Sequence, residues 1–340
     1  SDMSKVAIVS SGAFVPETVV SNHDLVRFIG EKSPEWIERL LGVRERRFMS
    51  PFDENGRPIR HTDEIEIALA AAKNALKQTI DPASIDGLTL VSCTATEGRE
   101  HLSRLAFDLH RELGLSEECT VRFNDLGCGG FVHTLIDGVH MLQGSPARRM
   151  LIVASNAPSV HFANRLSSYK KGEAWLSAYL FGDGAAAVVI EKVSSENAAS
   201  VLAYYRGVNS SMPLMEYGHR NGSEEPVYYI DAKSVKETYA AYLRRAIAGL
   251  SERYTFKFSD IARCYFHQAN GKLVDELASS LGLGTERVAK CADIYGNTSA
   301  AATPIMFAED MSAGRIGRGD TVLFCAIGAG MQYGATLVKL

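Results

Sequence analysis

The chain lacks most of the features that would assign it to the larger non-enzymatic classes. Its 340 residues hold 36 lysines and arginines against 40 acidic residues, a net charge of −4. So mild a balance offers no general attraction to nucleic acid or to an anionic membrane surface. No apolar stretch approaches the ~18 residues of a membrane-spanning helix. No basic segment leads into an apolar one near the N-terminus, so no secretory signal is expected and the chain reads as cytoplasmic. The six cysteines, Cys93, Cys119, Cys128, Cys264, Cys291 and Cys325, are scattered. They form no Cys-x-x-Cys pair and no Cys/His ligand spacing, so no metal site is expected. A chain this long buries enough core to stand without disulfides. With 46% apolar residues and no low-complexity tract, it is not a disordered chain.

What the chain has is an order of elements that occurs twice. Lys5–Val9 reads as a strand. Ile65, Ala68, Leu69, Ala72 and Leu76 share one face of a helix over Asp63–Gln78. Ser84-Ile85-Asp86 leads into the apolar run Leu88–Cys93, a strand pattern. A helix from about Leu102 to Leu113 ends at Gly114. A short strand then leads to Gly127-Cys128, an apolar helix runs to about Leu142, and Met150–Ala154 is a buried strand. The second half repeats this with the strand Val201–Tyr205, a helical stripe from Val235 to Leu250, and Ser259-Asp260-Ile261 before the apolar run Ala262–Phe266. A helix Leu273–Leu281 ends at Gly282, a short strand is expected before Gly296-Asn297, and a helix and the strand Thr321–Ala326 follow.

The halves also close alike, Gly182-Asp183-Gly184 before Val188–Ile190 and Gly328-Ala329-Gly330 before Thr336–Val338. Landmarks recur about 170 residues apart up to the Cys128 turn and about 146 at the closing turns, far beyond the ~20–50 of a solenoid unit, so the pattern is a duplicated α/β domain. The apolar strands imply sheets covered by helices on both faces. The expected halves are 3–191 and 192–340, the first with an insertion at about 155–179.

Cys128 stands in Asn124-Asp125-Leu126-Gly127-Cys128-Gly129-Gly130-Phe131, where a strand passes into a helix. At a helix N-terminus the dipole and free N–H groups favour the thiolate, the reactive form of cysteine. His267 follows the strand Ala262–Phe266, and Asn297 occupies the turn equivalent to that of Cys128. If a pseudo-twofold relation brings the loops at the strand ends together, all three converge on one crevice, where open α/β sheets place their sites. Gly328-Ala329-Gly330-Met331-Gln332-Tyr333-Gly334 is no dinucleotide fingerprint, because too few residues follow it for the required helix and acidic residue.

On these motifs, with Glu35-Trp36-Ile37, Gly42-Val43-Arg44-Glu45-Arg46-Arg47, Phe181–Ala185, His267–Asn270 and Gly296–Ala301, the sequence resembles ketoacyl-ACP synthase III of the thiolase-fold condensing enzymes. The resemblance covers essentially the whole chain. It implies a layered αβαβα core and a homodimer. It implies that Cys128 is acylated from a thioester, and that His267 and Asn297 promote decarboxylation of a malonyl thioester. By the same resemblance the backbone N–H groups of Cys128 and Ala329 form an oxyanion hole, Trp36 stacks on the adenine of CoA, and Asn270 lines the pantetheine path. Arg44, Arg46 and Arg47 are candidates for CoA phosphates or an acidic carrier protein. CoA or ACP phosphopantetheine thioesters enter as substrates, and no permanently bound cofactor is expected.

Two departures stand out. The loop that is usually apolar in this family reads Thr96-Glu97-Gly98-Arg99-Glu100-His101, and unpaired charge in an acyl pocket is costly. The placement of Glu97 before Cys128 resembles HMG-CoA synthase, where this glutamate is the general base. The insertion is a candidate wall of the substrate tunnel or a dimer contact. Together these favour a specialised condensing enzyme of secondary metabolism, joining an acyl group on Cys128 to a malonyl or β-ketoacyl thioester. The alternatives are acyl transfer to an alcohol or amine without condensation, the housekeeping fatty-acid initiation enzyme, and a catalytically silent partner subunit.

Overall fold

A computed structural model describes residues 4–30, 32–94, 104–162, 169, 174–219 and 226–340. The first half runs β1 (Lys5–Phe14), β2 (Thr18–Ser21), α1 (Asn22–Ile29), α2 (Pro34–Leu41), β3 (Glu45–Phe48), α3 (Ile65–Leu76), β4 (Gly87–Val91), α4 (Arg104–Glu112), β5 (Thr120–Asn124), α5 (Gly130–Gln143), β6 (Arg149–Asn156), α6 (Ser159–Phe162), α7 (Trp175–Leu180) and β7 (Gly184–Val193). The second runs β8 (Ser200–Val208), β9 (Met215–Gly218), β10 (Val227–Ile230), α8 (Ala232–Arg253), β11 (Arg263–Phe266), α9 (Gly271–Ser280), α10 (Ala292–Tyr295), α11 (Ala302–Ala313), β12 (Thr321–Gly328) and β13 (Gln332–Lys339).

The strands form two large sheets of the same design. The first has the order β1-β7-β6-β4-β5 and the second β8-β13-β12-β11. In both, the two central crossovers are parallel (β4 with β6, β11 with β12), while the closing strand is antiparallel to its neighbours. Parallel pairs need a helical crossover between them, which is why helices alternate with these strands. The fifth strand of the second sheet, expected before Gly296-Asn297, is reduced to a single parallel bridge, Cys264 with Val288. The backbone beyond it finds other partners. Gln268 Oε1 accepts from the N–H groups of Cys291 (3.0 Å) and Ala292 (3.1 Å), and the chain turns into α10.

The layering is αβαβα. Helices α5 and α11 lie between the sheets, with Phe131, Leu135 and Phe307 packed against Ile152 and Val188 on one side and Val322 and Phe324 on the other. α5 is buried over most of its surface, from Gly130 to Ile136 and at Gly138, Val139 and Leu142, with Asp137 and His140 reaching outward. Ala68, Ala72, Leu105 and Leu109 of α3 and α4 cover the outer face of the first sheet. Leu243, Leu250, Val274 and Leu277 of α8 and α9 cover that of the second. No helix of the described residues is long and apolar enough to cross a membrane.

Candidate active site

Cys128 and His267 sit on turns at the ends of strands, and Asn297 sits on the turn after α10. Cys128 lies between β5 and α5, and Gly129 caps that helix with a left-handed φ of +83°. His267 follows β11. Its backbone is pinned on both sides, its N–H donating to Cys325 O (2.9 Å) and its carbonyl accepting from Tyr239 Oη (2.6 Å). Asn297 is held by a bridge to Phe181, next to the Gly-Asp-Gly turn of the first half. Its Oδ1 accepts from Ser299 N at 2.8 Å and lies 3.7 Å from Cys128 Sγ, while Nδ2 lies 3.7 Å from the same sulfur and 3.5 Å from Ala269 O.

Cys128, His267, Asn297 and Ala329 all line one inner cavity, roofed by Phe181, Leu214 and Met215. An outer cavity bounded by Leu40, Lys236, Asn270 and Lys272 shares Leu180, Ile230, Val235 and Ala269 with it. On the other side, Cys128 and Ala329 also line a far cavity of about 180 Å³, walled by Cys93, Thr94, Asn156, Tyr217 and Tyr228. The cysteine therefore stands between two cavities. The small ribbon of β9 and β10 supplies Met215, Tyr217 and Tyr228 to these walls.

Burial sets the protonation states. His267 is 2% exposed, and desolvation lowers its pKa to about 3. At neutral pH it is a neutral imidazole with one N–H to donate. Burial pushes the Cys128 thiol up, with hydrogen bonds from Ser299 and Asn297 opposing that shift. The thiolate expected from a helix N-terminus is thus not the resting form; desolvation outweighs the donors around the sulfur. Asp183, in the Gly-Asp-Gly turn, is pushed up to about 7 by burial. Its oxygens accept from Met49 N (2.9 Å), Ser159 N (3.0 Å) and Ser159 Oγ.

The remaining sequence candidates divide. Asn270 lines the outer cavity while its Oδ1 caps α9 through Leu273 N at 2.8 Å. Trp36 sits on α2 one turn before Leu40 of the outer cavity and packs on Trp175, its ring 6.1 Å away. Arg44 is exposed and outside the three cavities. Arg46 is fully buried and hydrogen-bonds Val20 O, Asn22 Oδ1 and Tyr179 O, a structural role that removes it from any phosphate-binding surface. Glu97 lies outside the described residues. Lys236 and Lys272, at the outer cavity, were not singled out in the sequence. Their signal was weak, one lysine on each of two amphipathic helices.

Comparison with known proteins gives this geometry a context. Residues 124–209 match the family model for 3-oxoacyl-(acyl-carrier-protein) synthase III, and residues 252–340 match the model for the C-terminal part of the same enzymes. Beta-ketoacyl-(acyl-carrier-protein) synthase III of Coxiella burnetii is 29% identical over 339 residues, covering 99% of this chain and all of that protein. The crystal structure of the corresponding synthase from Aquifex aeolicus superposes with a TM-score of 0.82 at 24% identity, over 98% of this chain and 100% of that one. OleA of Xanthomonas campestris, solved with bound lauric acid and lauroyl-CoA, superposes with a TM-score of 0.83 at 18% identity over 99% of both chains.

Proposed function

Because the chain belongs to the 3-oxoacyl-(acyl-carrier-protein) synthase III family of thiolase-fold condensing acyltransferases, we propose that it acylates Cys128 from an acyl thioester and condenses that acyl group with a malonyl or β-ketoacyl thioester. The observation that carries this reading is the convergence of Cys128, His267 and Asn297, from three turns of two halves, on one inner cavity.

In the first step the Cys128 sulfur attacks the thioester carbonyl, the bond from acyl carbon to CoA or carrier sulfur breaks, and the leaving thiol takes the proton. Thioester exchange of this kind splits a hard reaction into two easier ones. The N–H groups of Cys128 and Ala329 are the proposed donors to the acyl oxyanion. In the second step loss of CO₂ from a malonyl thioester leaves an enolate. Neutral His267 and the Asn297 amide donate to its oxygen, and its carbon attacks the acyl carbonyl, releasing Cys128. The outer cavity is the proposed pantetheine path, with Asn270 along it, Lys236 and Lys272 at its rim, and Trp36 and Arg44 the nearby groups assigned to CoA. The far cavity is the proposed acyl site. Its described walls enclose about 180 Å³, on the order of the ~150 Å³ cavity that holds a benzene. Thr94 lies on that wall, three residues before Glu97, which supports Glu97 as a base for a second thioester.

A second copy of the chain is the proposed partner. β5 ends the first sheet with no further strand beside it among the described residues, and an open edge invites pairing. The relatives' names favour the fatty-acid initiation role, while the charged loop around Glu97 favours a specialised product. Intact-mass measurement across a panel of acyl-CoAs, followed by product analysis with malonyl-CoA and malonyl-ACP, decides between them. Absence of any adduct on Cys128 across the panel would overturn the reading.

A further inference from the structure

The Cys128 sulfur has a second polar neighbour besides Asn297. The Ser299 hydroxyl lies 3.6 Å from it, and the same hydroxyl lies 3.5 Å from Cys93 Sγ. Cys93 Sγ in turn donates to Asn156 Oδ1 at 3.5 Å. Ser299, Cys93 and Asn156 all line the far cavity beside the nucleophile. A hydroxyl carries one proton. Held between two sulfurs, it can donate to only one of them while accepting from the other.

We infer that Ser299 and Cys93 form a hydrogen-bond relay that stabilises the thiolate of Cys128, an inference that rests on Cys128 being the nucleophile. With Cys128 protonated, its S–H donates to Ser299 Oγ or to Asn297 Oδ1 (3.7 Å), the Ser299 hydroxyl donates to Cys93, and Cys93 donates to Asn156. Once the proton has left with the departing thiol, the Ser299 hydroxyl turns to donate to the charged sulfur, and Cys93 donates to Ser299 Oγ or to Asn156. The relay exchanges no net proton. It gains because a hydrogen bond to an ionised acceptor is roughly twice as strong as one between neutral groups. Ser299 touches the reacting sulfur and is a catalytic residue. Cys93 acts through it and is a positioning residue.

Two features support the assignment. Ser299 adopts φ +56°, a left-handed conformation that residues other than glycine seldom hold without a local reason. In that conformation its N–H fixes the Asn297 amide while its hydroxyl reaches both sulfurs, so one residue orients groups from both halves. Burial raises the Cys93 thiol to about 12, which keeps it a donor and not a second nucleophile.

The test is the pH dependence of Cys128 alkylation by iodoacetamide, with the modified residue identified by peptide mass spectrometry. Ser299→Ala keeps the backbone N–H and should raise the apparent pKa of alkylation by about one unit, slowing it about tenfold at pH 7. Cys93→Ala should shift it the same way by less, Cys93→Ser should restore the wild-type profile, and the double alanine variant should match Ser299→Ala. Unchanged profiles in Ser299→Ala and Cys93→Ala would overturn the relay, as would a Cys93→Ser profile equal to that of Cys93→Ala. If Ser299→Ala does not fold, the two Cys93 variants decide. Acyl loading on a Cys128→Ala variant would instead overturn the nucleophile assignment, since alkylation reports on the sulfur whatever its role.

Discussion

The two halves share a sheet design yet differ at the site and at the sheet edge. The first contributes one sulfur at the mouth of a central helix; the second contributes His267 and Asn297, both hydrogen-bond donors. The first sheet ends in a true strand, β5, whereas its counterpart is a single bridge at Val288. The two sheets thus share the scaffold that aims the turns while the turn residues differ. In the proposed reaction one half holds the group that forms the covalent bond, the other the groups that respond to developing negative charge. The edge differs likewise, open in the first half and folded back through Gln268 in the second.

That division can be tested by disabling each half separately. Cys128→Ala should abolish the acyl adduct, by ~10⁴-fold or more, as expected for loss of a covalent nucleophile. Intact mass spectrometry reads this, and a persistent adduct would mean that the first half is not where acylation occurs. Asn297→Ala should leave acylation in place while CO₂ release from a malonyl thioester falls ~10²–10³-fold, the usual cost of one oxyanion donor. Equal losses in both assays would erase the division. Glu97→Gln should preserve the adduct and lower product formation by about 10²-fold, within the range for a lost general base. Wild-type turnover would leave Glu97 without a chemical role.

The smallest expected effect tests the closing turn of the first half, whose Asp183 stands where the second half has Ala329. Asp183→Asn replaces an acceptor facing three donors by an amide with only one acceptor oxygen, and should destabilise the fold by about 1–3 kcal/mol. It also changes the pH response. With its pKa raised to about 7, Asp183 contributes stability that is complete below its unfolded value and is lost as pH rises through 7. With its pKa lowered to about 3, His267 contributes stability that is present above its unfolded value and is lost as pH falls toward 3. Between those limits the two slopes oppose one another. Melting temperature measured between pH 4.5 and 6.5 should therefore fall more steeply toward acid in Asp183→Asn than in the wild type.

Much of this was legible in the sequence because the central helices and strands are buried on matched faces. The near-constant offset between repeats located Cys128 and Asn297 on equivalent turns, and the apolar run Ala262–Phe266 located His267. Other parts were not legible, for physical reasons. β9 and β10 follow no clean alternation, since Met215, Tyr217 and Tyr228 face a cavity that only the folded chain creates. The fifth strand of the second sheet failed because the Gln268 side chain took the backbone donors. Arg44 and Arg46 look alike in sequence, but Arg46 lies on the inward row of β3 with Phe48, whereas Arg44 precedes the strand and is exposed. The protonation of Cys128 depends on burial, which a helix-terminus argument does not include.

Gly328 leaves no clearance between the halves. A methyl group built on its Cα would stand 1.2 Å from the Cys128 carbonyl oxygen, inside the volume that oxygen already fills. The loop carrying Ala329 and the turn carrying Cys128 therefore rest on each other without a spacer. Their separation is fixed by touching backbone atoms, much as a gauge block fixes a gap. Any other amino acid at 328 would act as a shim. It would push the Ala329 N–H away from the Cys128 N–H by forcing backbone to move, so damage at this position would show as lost alignment together with a lower melting temperature.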